Sequence, residues 1–203
     1  MFNTEDIYDI VGRRMLKSRG HEFTLGLKLK MMGLPGKSAF QVMKAHCSLE
    51  DSIESLAAES ASIYAEELPQ RIQMMPGLSE LLNELEFRDL PKAIATSSHR
   101  SHAQLALAKF DLEKRFEFVL TAGDVENGKP SPDIYLLAAE KLKVSPAKML
   151  VLEDSLIGST AAAASGAFTV AVPGSHSCDQ NYNHVDYVVD RLDSDVILML
   201  LNR

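Results

Sequence analysis

The chain has 203 residues, enough for one α/β domain with an insertion or for two small domains. Hydrophobic residues at 46% and charged residues at 24% imply a packed core and exclude wholesale disorder. A formal net charge of -7 argues against a sequence-independent nucleic-acid surface and against an anionic membrane, although a few local donors can still hold a phosphate.

Residues 4 to about 68 contain nothing that reads as a strand. Apolar residues recur at helical spacing: Ile7, Ile10, Val11 and Leu16, then Leu25, Leu27, Leu29 and Met32, then Ile53, Leu56, Ile63 and Tyr64. Arg19-Gly20, Gly33-Leu34-Pro35-Gly36 and the polar stretch at Cys47-Ser48 mark the breaks. Thr4, followed by Glu5 and Asp6, starts the first helix with acid in its first turn. This half is expected to be a small helical bundle, residues 4–74, with residues 1–3 belonging to a core loop. Residues 75–203 are expected to form the α/β core.

From Met75 the pattern alternates. Pro76-Gly77 opens a helix with Leu78, Leu81, Leu82 and Leu85 on one face. Ala93-Ile94-Ala95 reads as a buried strand before a helix from about Ser101 to Phe110. Phe118-Val119-Leu120 is the next strand, before a helix from about Pro132 to Leu142. Met149 to Leu152 is the clearest strand, before an alanine-rich helix from Ile157 to Ser165. Phe168 to Val172 and Tyr187 to Val189 complete the strands, and Val196 to Leu201 is a closing helix. Such alternation predicts a doubly wound parallel sheet. Cys47 and Cys178 have neither metal-like spacing nor a disulfide partner set, and read as free thiols in a reducing cytosol. No apolar run reaches membrane-spanning length and the start is too polar for a secretory signal, so the expected location is cytoplasmic.

Ligands of parallel sheets sit beyond the carboxyl ends of the strands. Three strand ends carry chemistry here. Thr96-Ser97-Ser98 follows the first, as helix caps or as donors to an anion. Gly128-Lys129-Pro130-Ser131-Pro132 follows the second and frames one lysine stiffly. Glu153-Asp154-Ser155 follows the third, as a helix cap beside a solvated carboxylate or as ligands of a hard divalent cation such as Mg²⁺. Hydroxyls, a fixed cation and a metal are the equipment of phosphoryl transfer.

In order and approximate spacing, Pro76-Gly77, Ala95-Thr96-Ser97-Ser98, Gly128-Lys129-Pro130-Ser131-Pro132-Asp133-Ile134-Tyr135 and Leu152-Glu153-Asp154-Ser155 with Gly158, Ala161 and Ala162 resemble the haloacid dehalogenase superfamily. The subgroup most similar contains β-phosphoglucomutase and small sugar-phosphate or nucleotide phosphatases. The resemblance implies a Rossmann-like core with an inserted helical cap over residues 4–74. It implies that Thr96 and the Ser97 amide bind the phosphoryl group and that Lys129 neutralises it. Asp154 becomes the main metal carboxylate, Glu153 its helper, and Mg²⁺ the cofactor. Asp133 is structural, and the Gly36-Lys37-Ser38 loop of the cap reaches the substrate. The implied partner is a small phosphorylated metabolite, a sugar phosphate or nucleotide-like molecule, and neither nucleic acid nor a membrane.

The departure lies at the start. The family opens with a strand, Asp-x-Asp-Gly and a linker ending in Thr-Glu, whereas this chain begins Met1-Phe2-Asn3-Thr4-Glu5. By that resemblance the central strand, the nucleophilic Asp and the acid/base Asp would precede Met1, and Asp6 and Asp9 are poor substitutes. A longer natural protein, another element in the strand's slot, or a non-catalytic paralogue that binds phosphate would each account for it. The expected function is therefore a Mg²⁺-dependent phosphatase working through an aspartyl-phosphate, with little turnover from these residues alone. A phosphosugar mutase on the same scaffold is the alternative.

Overall fold

The computed structural model describes residues 1–32, 34 and 36–202. Gly33 and Pro35 of the turn signal, and Arg203, lie outside the described residues. Four helices come first: α1 (Thr4–Lys17), α2 (Leu25–Met31), α3 (Gly36–Cys47) and α4 (Ile53–Arg71). In α1 the i, i+4 series Ile7, Val11 and Met15 is fully buried, with Glu5 and Asp6 in the first turn and Arg14 and Lys17 in the last, matching the helix dipole. Thr24 caps α2 by accepting from the Leu27 amide, and Ser52 caps α4 by accepting from the Ser55 amide. Ile7, Leu16, Leu27, Met43, Leu56, Tyr64 and Leu68 meet in one hydrophobic cluster spanning all four helices.

The alternating half contains α5 (Leu78–Phe87), β1 (Ile94–Ala95), α6 (Arg100–Lys109), β2 (Val119–Leu120), α7 (Asp133–Leu142), β3 (Leu150–Glu153), α8 (Leu156–Ala164), β4 (Phe168–Ala171), β5 (Tyr187–Val188) and α9 (Asp195–Leu200). All ladders are parallel. The sheet comes in two pieces: β1 pairs with β2, and β3-β4-β5 forms a separate three-stranded sheet. Register runs Ala95 opposite Leu120 in the first and Glu153 opposite Ala171 in the second. The two pieces share no ladder among the described residues. Phe2 forms a single antiparallel bridge with Met74, so the start of the chain lies beside the segment that returns from α4.

Elements match the sequence reading closely, but strands are shorter than the apolar runs because Ala93, Phe118, Met149 and Val172 fall outside the regular ladders. Cys47 and Cys178 are both free. No helix among the described residues is long and apolar enough to cross a membrane.

Gly77 caps α5 with φ at +83°, and a Cβ there would overlap Asp193. Both demands exclude other residues. Gly77→Ala is expected to lower stability by about 2 kcal/mol, read as a lower urea midpoint at unchanged m-value.

Candidate active site

A cleft of about 320 Å³ lies between the carboxyl ends of β1 and β3. Thr96, Ser97, Lys129, Glu153 and Asp154 all line it, so the three strand ends singled out in the sequence converge. Thr96 anchors its loop by donating its amide to Leu120 O of β2, while its Oγ1 accepts from the Ser98 amide. That leaves the Thr96 hydroxyl proton free to donate. No partner for the Ser97 amide is found among the described residues.

Lys129 is buried, 8% exposed, and reached through a cis Lys129–Pro130 peptide. Its ammonium donates to Ala95 O of β1 at 3.1 Å and to the Glu153 carboxylate of β3. Tyr135 of α7 donates to the same Glu153 oxygen, and Lys129 Nζ lies 4.9 Å from the Tyr135 ring centre. Burial opposes the Glu153 charge, but the Lys129 ammonium and these hydrogen bonds outweigh it and hold its pKa below the ordinary carboxylate value. A Cβ at position 158 would overlap the Glu153 carboxylate, so Gly158 gives that side chain its room. In this structure the Glu153 carboxylate is engaged by Lys129 and Tyr135.

Asp154 is different. Its carboxylate opens onto the cleft, and no side-chain donor to it is found among the described residues. Water touches it, yet surrounding protein desolvates it; that and the neighbouring Glu153 charge raise its pKa. Glu5, across the cleft, is raised first by burial and then by Asp154. A carboxylate in this position fits as one ligand of a hard cation. The described residues contain no cluster of three or more His, Cys, Asp or Glu side chains that could hold a metal ion. Asp133 is structural, as expected: it opens α7 and accepts from Ser131 Oγ and from the amide and side chain of Asn127.

Several contributors had no sequence signal. Tyr8 of α1 and His102 of α6 share a 3.1 Å hydrogen bond at His102 Nδ1, and the imidazole stacks on Tyr64 at 4.1 Å. Burial first, then the charge of His99, lowers the His102 pKa to about 4. Its Nε2 is buried without a hydrogen-bond partner among the described residues. A second group joins the helices to the loop after β4. Lys28 Nζ lies 2.8 Å from Asp9 Oδ1 and 2.9 Å from His176 Nδ1, while His176 Nε2 lies 2.6 Å from Asp6 Oδ1. An ammonium only donates, so His176 Nδ1 accepts from Lys28 while Nε2 faces the Asp6 carboxylate as a donor. Asp6 and Asp9 are therefore paired with His176 and Lys28. Lys37 does not line this cleft. Gly36-Lys37-Ser38 is the first turn of α3 and not a loop, because the helix begins directly at Gly36. Lys37 borders a second cavity instead.

The profile of the haloacid dehalogenase-like hydrolases matches residues 1–172. The chain belongs to the haloacid dehalogenase-like hydrolase family. It is 33% identical over 170 residues to a phosphorylated carbohydrates phosphatase of Thermotoga maritima, covering 82% of this chain and 77% of that one. It is 32% identical over 181 residues to (DL)-glycerol-3-phosphatase 2 of Arabidopsis thaliana, covering 85% and 75%. Among solved structures, CbbY from Rhodobacter sphaeroides in complex with phosphate shares the fold at a TM-score of 0.91 and 21% identity, over 100% of this chain and 95% of that one. The chain is accordingly a hydrolase of this family with phosphatases among its relatives.

Replacing Lys129 with Met leaves Glu153 buried and unpaired, and is expected to cost about 3–5 kcal/mol in urea unfolding. Adding Glu153→Gln to that variant should recover part of the loss, since it removes the stranded charge. His102 sets a pH dependence. Between its ordinary value of 6.5 and about 4, the unfolded chain binds a proton that the folded chain refuses, so stability falls as acid is added and levels off below about 4. Its share is about 3 kcal/mol across that window, and His102→Leu should flatten the dependence of the urea midpoint on pH there.

Proposed function

We propose that this chain carries the binding machinery of a Mg²⁺-dependent phosphomonoesterase acting on a small phosphorylated metabolite. The observation that carries this reading is the convergence of Thr96, Ser97, Lys129 and Asp154 on one cleft. The free hydroxyl proton of Thr96 and the Ser97 amide hold two phosphoryl oxygens. Lys129, clamped by Ala95 O and Glu153, presents a fixed positive charge without having to reorganise. Asp154 would hold a hard cation against the phosphoryl oxygens, which supplies further neutralisation of their charge. The helices of residues 4–74 act as the cap over the core of residues 75–203, excluding bulk water and choosing the alcohol. Phosphatase relatives at about a third identity support the substrate class.

The chemical step in this reading is attack of an aspartate on phosphorus, with the ester P–O bond breaking and the departing oxygen taking a proton from a second acid. Water then cleaves the aspartyl-phosphate. Neither aspartate is assigned among these 203 residues. Asp6 and Asp9 are held by His176 and Lys28, and Asp154 is reserved for the cation. The 203 residues by themselves are therefore expected to bind phosphate and to turn over little ester.

Calorimetric titration with inorganic phosphate, beside an assay of 4-nitrophenyl phosphate with Mg²⁺, checks both halves. The expected result is binding that weakens about tenfold in Thr96→Val, with negligible release of nitrophenol. Absence of phosphate binding would overturn the site; strong Mg²⁺-dependent turnover by these residues alone would overturn the division of labour.

A further inference from the structure

A second cavity of about 710 Å³ adjoins the phosphate cleft, and Glu5, Tyr8, Ser97, Ser98 and His102 border both. An ester whose phosphoryl group rests on Thr96 and Ser97 therefore directs its alcohol into this larger space. Cavities of roughly 300–1,000 Å³ enclose ligands well beyond the size of a three-carbon polyol. The wall contributed by the helices carries the half-buried side chains of Phe23, Met31, Met32 and Phe40. Thioether and aromatic surfaces adapt to a flat apolar body and offer no donors to a row of hydroxyls.

The charges point the same way. Lys28 borders the cavity, but Asp9 and His176 already take its ammonium. Arg100 is held by both oxygens of Asp124 at 2.7 and 2.6 Å. Lys37 is exposed. A second phosphate inside would meet Lys28 and Arg100 already paired, along with the carboxylates that pair them, leaving the exposed Lys37 to offset its desolvation.

We infer that the preferred substrate class is the monophosphate ester of an uncharged alcohol with a flat, largely apolar body, such as an aromatic or heteroaromatic ring system. This selects against small polyol phosphates and bisphosphates. The inference rests on the phosphate-site reading above and sharpens it.

The test is calorimetry of the 203-residue chain without added metal, using inorganic phosphate, 2-naphthyl phosphate, glycerol 3-phosphate and fructose 1,6-bisphosphate. Binding of 2-naphthyl phosphate should be at least about tenfold tighter than that of inorganic phosphate, with glycerol 3-phosphate gaining nothing comparable. Ala57→Phe, which fills the cavity from α4, should bring the ratio of aryl ester to inorganic phosphate affinity down towards one. If inorganic phosphate binds while the polyol ester or the bisphosphate outcompetes the aryl ester, the substrate class is wrong and the phosphate site stands. An aryl preference that survives Ala57→Phe places the alcohol elsewhere and overturns the inference. If inorganic phosphate does not bind at all, the phosphate site fails and this inference falls with it.

Discussion

The buried contact between Lys129 and Glu153 is the constraint around which the site is arranged. One ammonium reaches the last residue of β1 through Ala95 O and the last residue of β3 through Glu153, and so spans the break between the two pieces of the sheet. A buried ion pair contributes little net stability against an apolar alternative, but it strongly penalises any arrangement that separates its members. That penalty holds the ends of β1 and β3 at one spacing, which is the width of the cleft. Tyr135 completes the hydrogen bonding of Glu153, and Gly158 leaves the space it needs. The adjacent carboxylates thereby become unlike. Glu153 is kept ionised and occupied, whereas Asp154 is left open to the cleft with its charge disfavoured.

Coupling between the helical half and the sheet runs through polar groups around the same cleft. The loop after β4 is tied to Asp154 from below: Ser177 Oγ donates to Asp154 O at 2.5 Å and the Tyr182 hydroxyl donates to it at 3.1 Å. From the same loop His176 reaches up to Asp6 on α1 and Lys28 on α2. A displacement of α1 and α2 is thus felt one short loop away from the Asp154 backbone. On the opposite side, His102 of α6 sits against Tyr8 and Tyr64 of α1 and α4, inside the packing of the helical bundle. These contacts make the cleft and the larger cavity beside it parts of one enclosure, bounded by the sheet on one side and the four helices on the other.

Much of this was legible in the sequence, for physical reasons that can be named. Helical spacing of Ile7, Val11 and Leu16 marks a buried stripe because 3.6 residues make a turn, and those residues are buried. Apolar runs alternating with amphipathic stretches mark a parallel sheet because crossover helices cover both of its faces. Thr96 and Asp154 could be picked out because each directly follows a strand, and Lys129 because Gly128 and Pro130 frame it in the loop between β2 and α7; residues in such places are delivered to a common edge. The Gly36-Lys37-Ser38 run opens α3 where a loop was expected, because a Gly-Lys-Ser run preceded by turn residues is compatible with either, and local pattern does not separate the two.

The sequence by itself determined the family, the order of the elements and the strand ends at which the chemistry gathers, since these follow from local periodicity and short motifs. Only the tertiary structure decided which carboxylate pairs with Lys129, that His176 bridges Lys28 and Asp6, and that His102 lies buried against two tyrosines. Residues 28 and 176 are 148 positions apart, and nothing in the character of either residue announces the other. Such partnerships arise from the packing of whole helices against a sheet, and that packing is a property of the folded chain.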